Sequence, residues 1–220
     1  WACPQLNNQS RTIKERLSPS NIKSYIIKTY CQITKPQIVK VNGIKIFVSN
    51  NIQGDILRTV YVGTYEKYEL GIVKSCLSSN DVVLELGAGI GLISSYCAKQ
   101  IGSDRVFAYE ANPKLESDIR RNYQLNDVSP NLEMCILGEK SGEETFYIHN
   151  DFWSSSIVSA NSDNQKIDEI NVKVNVKVRS FNKVISIIKP TFLIIDIEGG
   201  EYDLFKYADL SNIKKICLEL

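Results

Sequence analysis

Histidine is almost absent. His149 stands alone in 220 residues, which excludes a His-rich metal centre. The six cysteines, Cys3, Cys31, Cys76, Cys97, Cys135 and Cys217, include no C-x-x-C pair, so neither a zinc ribbon nor a thioredoxin-like redox motif is present. They read as free, buried thiols, and the expected localisation is cytoplasmic. No apolar run approaches 18 residues, so no membrane span is expected. Charge of one sign is lacking too. Lys and Arg number 26 against 25 Asp and Glu, a net +1, which gives no bulk pull towards nucleic acid or an anionic surface. Internal repeats and low-complexity tracts are missing. Trp1-Ala2-Cys3-Pro4 shows no signal-peptide pattern and no initiating Met, so residues upstream are expected.

What is present is an ordinary globular composition, 43% apolar and 23% charged, in a length that suits one α/β domain with an N-terminal appendage. The most informative stretch is Asp81 to Leu92. Val82-Val83-Leu84-Glu85-Leu86 reads as a strand buried on both faces. Gly87, Ala88, Gly89 and Gly91 then form a turn in which the backbone can bend tightly against a ligand, and a helix opens with its free N–H groups towards it. A dinucleotide fingerprint, G-x-G-x-x-G, needs a small residue at 92, where Leu92 stands. The spacing here is G-x-G-x-G with Glu85 two places before it, the form seen in S-adenosylmethionine (SAM) methyltransferases.

The rest of the chain is organised around that unit. Residues 1–60 read as an extension. A helix after Ser18-Pro19-Ser20-Asn21, with Ile22, Tyr25, Ile26 and Tyr30 on one face, serves as a packing or homodimerisation element, and a hairpin runs from Val39 to Val48 about Asn42-Gly43. Residues 61–220 read as the cofactor-binding domain. Tyr61 to Leu77 is expected to be a loop entering a helix that turns Tyr68, Ile72, Val73 and Leu77 inwards. Leu92, Ile93, Tyr96 and Cys97 should face in on the next helix. Arg105 to Glu110 is the second parallel strand and ends in an acid placed to accept bonds from ribose hydroxyls. Asn112-Pro113 caps the following helix, with Leu115, Ile119, Tyr123 and Leu125 inside. Leu132 to Gly138 is the third strand, followed by an antiparallel pair, Thr145 to Ile148 and Val172 to Val178. The long loop between them, with Phe152, Trp153 and three serines, reads as a substrate lid. Phe181 to Ile188 is a short helix, Phe192 to Asp196 the fourth parallel strand, and Ile213 to Leu220 the fifth. Tyr202 and Phe205 are expected to face in on the helix between those two.

Taken together, Val82 to Gly91, Phe107 to Pro113, Ser154-Ser155-Ser156-Ile157 and Ile195-Asp196-Ile197-Glu198-Gly199-Gly200-Glu201 resemble the FkbM-type SAM-dependent methyltransferases, from about residue 60 to the end. The resemblance implies a class I, Rossmann-like, mostly parallel sheet with helices on both faces and a β insertion after the third strand. It implies that Glu85 and the glycine turn (Gly87, Ala88, Gly89, Gly91) hold the amino-acid end of SAM, that Glu110, with Ala111 and Asn112 after it, takes the ribose, and that Leu137 borders the adenine. Tyr65-Glu66 resembles an aromatic–Glu pair that precedes the core in this family and reaches the cofactor pocket. Many members carry Lys where Ile194 stands. Two further strands usually follow the fifth, so part of the C-terminal sheet is expected to be missing from this stretch of chain.

The activity implied is methylation of oxygen, often a hydroxyl on a sugar, glycan or secondary metabolite. Methyl transfer from a sulfonium is an in-line displacement that chiefly needs the acceptor oriented, and an alcohol acceptor also needs a base. Asp196 at the end of the fourth strand is the first candidate, and it also belongs to the cofactor-binding set. Glu198 and His149 follow as candidate bases. No metal ligand set is assigned, although clustered carboxylates leave a divalent cation as an alternative. Two other readings stand beside this one: a non-catalytic SAM-fold module within a larger glycan-building protein, and a nicotinamide oxidoreductase.

Overall fold

The computed structural model describes residues 33–149, 170–197 and 199–218, together with Ile26 and Thr29. The expected N-terminal helix (apart from those two helical positions), the lid at 150–166 and Glu198 lie outside the described residues. In chain order the elements begin with a hairpin, β1 (Ile38–Val41) and β2 (Ile44–Phe47), then helices α1 (Gly54–Val62) and α2 (Lys67–Cys76). Next come β3 (Val83–Leu86), α3 (Leu92–Ile101), β4 (Val106–Glu110), α4 (Glu116–Leu125), β5 (Asn131–Met134) and β6 (Ile136–Gly138). The long strands β7 (Gly142–His149) and β8 (Ile170–Ser180) precede α5 (Phe181–Ile188), β9 (Phe192–Ile195), α6 (Glu201–Tyr207) and β10 (Lys215–Leu218).

Five strands form one wholly parallel sheet in the order β10-β9-β3-β4-β5. The central strands β3 and β9 are buried at every position, as expected where helices cover both faces. Side chains alternate across the sheet. Val83, Val106, Ala108, Phe192 and Ile194 pack towards α2, α3 and α4, while Leu84, Leu86, Tyr109, Leu193 and Ile195 pack towards α5 and α6. Glu85 falls on the first of these faces by the same alternation. A second sheet, β6-β8-β7, has β8 parallel to β6 and antiparallel to β7.

The hairpin forms as its Asn-Gly pair predicts. Val41 pairs with Ile44, and Asn42 and Gly43 both have positive φ, 50° and 93°, the requirement of a type I′ turn. It is docked by polar side chains of α4. Phe47 N–H donates to Asn122 Oδ1 (2.7 Å) and Lys45 N–H to Asn126 Oδ1 (2.9 Å), while Asn126 Nδ2 returns a bond to the Lys45 carbonyl (2.7 Å). Ser49 Oγ and Asn51 Nδ2 both donate to Asp118. Two side-chain amides thus complete the hydrogen bonding of a strand edge.

Helix α1, which ends at Gly63 in the left-handed conformation, lies ahead of the loop expected to enter α2. Three expectations are corrected. On α2 the inward stripe is Leu70 and Val73 with Leu77 behind, while Tyr68 and Ile72 are exposed, since only residues three, four or seven apart share a face. On α6 the stripe is Leu204, Tyr207 and Ala208, at i, i+3 and i+4. Tyr202 is therefore 76% exposed and Phe205 38%. The stretch from Leu132 to Gly138 is two strands, not one. At buried Cys135 the chain leaves the parallel sheet and joins the second, so Leu137 belongs to the latter.

At the N-terminal ends of the strands, Asp81 is buried beside Lys215 Nζ and accepts bonds from Thr191 Oγ1 (2.8 Å) and Ser78 N–H (2.7 Å). Burial alone would raise its pKa, but the hydrogen bond from Lys215, with those from Ser78 and Thr191, outweighs this and holds it below the usual value.

Candidate functional site

At the opposite ends of the same strands lies a cavity of about 640 Å³. Its floor is the turn after β3. The three glycines there have positive φ, 82°, 54° and 77°, but they meet different neighbours. A Cβ on Gly87 would lie 1.7 Å from the Asp196 carbonyl oxygen, and one on Gly89 2.9 Å from the Tyr65 hydroxyl. One on Gly91 would press the rings and methyls of Tyr123 and Ile119 at 3.0 Å. Gly87 therefore lets the end of β9 cross the turn, where Asp196 N–H bonds to the Leu86 carbonyl at 2.9 Å. Gly89 faces the cavity, and Gly91 seats α4 against α3. Asn122 Nδ2 donates to the Ile90 carbonyl (2.8 Å), fixing the turn from behind.

Carboxylates converge on this floor. Glu110, 7% exposed, accepts Gly89 N–H at Oε2 (2.9 Å) and Asn112 N–H at Oε1 (2.8 Å). The backbone N–H groups of Ala111 and Ala88 act on it as well. Burial raises its pKa against these backbone bonds. Glu85, buried in β3, receives hydrogen bonds from Ser94, whose hydroxyl also accepts from Tyr123 at 2.9 Å. Burial, opposed by Ser94 and assisted by the charge of Glu110, pushes its pKa up to about 8. Glu66 precedes α2 with φ 47°, a left-handed conformation uncommon for a residue with a Cβ. Burial raises its pKa well above the carboxylate range, against the hydrogen bond from Tyr65 and with the charges of Asp196, Glu85 and Glu69. Tyr65 is itself raised well above the usual phenol value, by burial first and Glu66 second.

Among the described residues three buried side-chain atoms have no hydrogen-bond partner: Glu66 Oε2 in the lining, and Glu85 Oε2 and Asn112 Nδ2 behind it. Native proteins leave few such atoms, and leaving one unmade costs about 1–3 kcal/mol. All three belong to the residue set that the resemblance assigns to a cofactor. Two acids with spare acceptors and one amide with spare donors suit a ligand that carries ammonium, carboxylate and hydroxyl groups.

Of the residues singled out from the sequence, Glu66, Gly87, Gly89, Glu110, Ala111, Leu137 and Asp196 line the cavity. Glu85, Ala88, Gly91 and Asn112 stand behind that lining and shape it. Asp196, half-buried after β9, lines the same cavity, and its charge acts on Glu66. The backbone of His149 ends β7 at an irregularity in its pairing with β8, and Glu198 lies outside the described residues. Sequence reasoning missed the wall contributed by α1, Asp55, Ile56 and Thr59, and that of Tyr109, Phe146 and Tyr207. Ile52, Ile56 and Val60, four apart with Gly63 behind, were a readable signal for α1. Among the described residues no group of His, Cys, Asp or Glu side chains is arranged to hold a metal ion. Among the described residues no helix is long and apolar enough to cross a membrane.

A parallel sheet in this strand order, with a glycine turn and a terminal acid on its second strand bordering one cavity, defines the Rossmann-like methyltransferase class. Within it, the methyltransferase FkbM domain model matches residues 85–219, more than half of the chain, and the chain belongs to that family. A shorter likeness is to a probable ribosomal RNA small subunit methyltransferase A of Thermococcus onnurineus (strain NA1), 35% identical over 60 residues. That match covers 27% of this chain and 21% of the relative's own length.

Proposed function

We propose that this chain binds SAM in the cavity and methylates a hydroxyl oxygen of a sugar, glycan or secondary metabolite. The observation that carries the reading is the set of unpartnered buried atoms on Glu66, Glu85 and Asn112 around the Gly87–Gly89 turn, in a chain of the FkbM methyltransferase family. When bound, SAM supplies an activated methyl group. Glu85 and the turn would hold its amino-acid end, Glu110 its ribose hydroxyls, and Leu137 would border its adenine. Buried Leu92 offers no third small residue for a pyrophosphate, which disfavours a dinucleotide.

The protein's part in the chemistry is to orient the acceptor and take its proton. Asp196 is the carboxylate best placed for the latter. It sits at the carboxyl end of a central strand, where ligands of such sheets bind, and its carboxylate would accept the hydroxyl proton as the oxygen–methyl bond forms. The net charge of +1 gives no support for an RNA acceptor. Cys97, Cys135 and Cys217 are free and buried as expected, Cys76 is free but exposed, and free thiols suit a reducing, cytoplasmic setting.

Calorimetry with SAM, S-adenosylhomocysteine and NAD tests the binding half of the reading. Uptake of NAD but not SAM would refute it. Methyl transfer by the full-length protein to a panel of sugars tests the other half, and SAM affinity with no acceptor turned over would favour a non-catalytic module. In an active preparation, Asp196→Asn should lower kcat by about 10²–10⁴-fold while SAM affinity stays within a few-fold.

A further inference from the structure

The charge around the cavity is one-sided. Six carboxylates line it, Asp55, Glu66, Glu69, Glu110, Asp196 and Asp203, with no Lys, Arg or His among its described lining residues. Two of the six are neutralised from outside. Asp55 pairs with Arg58 (3.3 Å) and Asp203 with Lys206 (2.6 Å), each along its own helix. The inner acids are Glu66, Glu69, Glu110 and Asp196. Glu66 is the most constrained of them: its backbone is left-handed, its Oε1 lies 3.4 Å from where a Gly89 Cβ would stand, and its Oε2 is buried without a partner. The charged groups that act on it are Glu69 on its own helix, Glu85 from β3 and Asp196 after β9, all acids, with Tyr65 as its hydrogen-bond donor.

A buried carboxyl surrounded by acids keeps its proton, and a fixed positive charge a few ångströms away removes it. We propose that Glu66 reads the charge of the ligand: it gives up its proton to the medium when a cationic ligand enters and keeps it when a neutral one does, so the site prefers SAM to its demethylated product. The inference rests on the SAM reading above. SAM carries a sulfonium that S-adenosylhomocysteine lacks, and the two are otherwise alike. The proton balance is simple: the Glu66 carboxyl becomes carboxylate, one proton goes to buffer, and the new anion faces the added positive charge. Loss of that charge on methyl transfer would return the proton and loosen the product.

The test is calorimetry between pH 6 and 8.5, repeated in buffers with unlike heats of ionisation so that protons released on binding are counted. The probes are SAM, S-adenosylhomocysteine, and an analogue with a protonated amine in place of the sulfonium. In the unmutated protein SAM and the amine analogue should bind about tenfold or more tighter than S-adenosylhomocysteine and release up to roughly one proton more. Because binding of the cation is coupled to proton release, SAM affinity should rise with pH while that for S-adenosylhomocysteine stays flat, so the gap should widen as pH rises and narrow as pH falls. Glu66→Gln should shrink the preference to under about threefold and abolish the extra proton, with its thermal midpoint reporting that it is folded. If that variant fails to fold, the three-ligand comparison in the unmutated protein still decides. Equal affinity for SAM and S-adenosylhomocysteine with equal proton release would overturn the inference while leaving the SAM reading intact. A preference undiminished in Glu66→Gln would do the same. Binding of neither ligand would overturn the SAM reading itself.

Discussion

The two ends of the parallel sheet bury carboxylates in opposite ways. At the N-terminal ends Asp81 has Lys215, Thr191 and Ser78 around it and is held ionised. At the C-terminal ends Glu66, Glu85 and Glu110 are pushed towards their protonated forms, and two of them keep an oxygen with no partner. Both ends belong to the same strands, some four residues apart, so chain composition does not explain the contrast. A buried acid whose bonds are complete belongs to the architecture, and one whose bonds are incomplete awaits something from outside. The Asn122 and Asn126 amides on the hairpin side belong to the first kind, since they bond to the backbone of β2 and of the glycine turn.

The most severe way to break the contrast is at Gly87. Gly87→Ala puts a Cβ into the Asp196 carbonyl and forces a side chain into positive φ. A loss of about 3 kcal/mol of stability is expected, with SAM binding abolished because the end of β9 moves off the turn. Denaturant midpoints and calorimetry measure both, and an unchanged SAM affinity would show that the close crossing is not needed. Lys215→Met at the other end should cost about 2–3 kcal/mol by stranding Asp81, yet leave SAM affinity within about twofold. If it weakened SAM binding as strongly as Gly87→Ala, the two ends would not be separable as architecture and site.

What could be read from the sequence follows the same division. The glycine turn, Glu110 at the end of β4, the Asn42-Gly43 hairpin and the apolar runs of β3 and β9 were legible because each is a local pattern with a local cause. The split at Cys135 was not, because Ile136 to Gly138 continues the apolar run while pairing with β8, some forty residues on. The stripe Asp118, Asn122 and Asn126 resembles a solvated helix face until the hairpin is seen to lie on it. Ser94 beneath Glu85 and Tyr123 against Gly91 are likewise invisible in one dimension. Sequence shows which groups are polar, but whether water, protein or ligand completes their bonds is decided by contacts far apart along the chain.

The gentlest probe of the contrast uses pH and no ligand. The folded-state pKa of Glu85, about 8, lies above its usual value of 4.5, so between those limits the folded protein holds a proton that the unfolded chain has released. Stability contributed by that proton is full below the unfolded pKa and is lost as pH rises through the folded one, with a slope of at most about 1.4 kcal/mol per pH unit for a single group. Asp81 has the opposite sign: its folded pKa is depressed below 3.8, so its contribution is present above that value and is lost as pH falls through the lower one. The free protein should therefore melt highest near the acid side of neutrality and progressively lower towards pH 8. Glu85→Gln keeps a neutral side chain at every pH, so it should match the unmutated protein near pH 5 and melt higher near pH 8. Glu66 and Glu110 would leave a residual slope of the same sign. Thermal midpoints of both proteins across that range make the comparison. Parallel curves would mean that Glu85 ionises inside the fold as readily as outside it, and the upper end of the sheet would then differ from the lower in geometry alone.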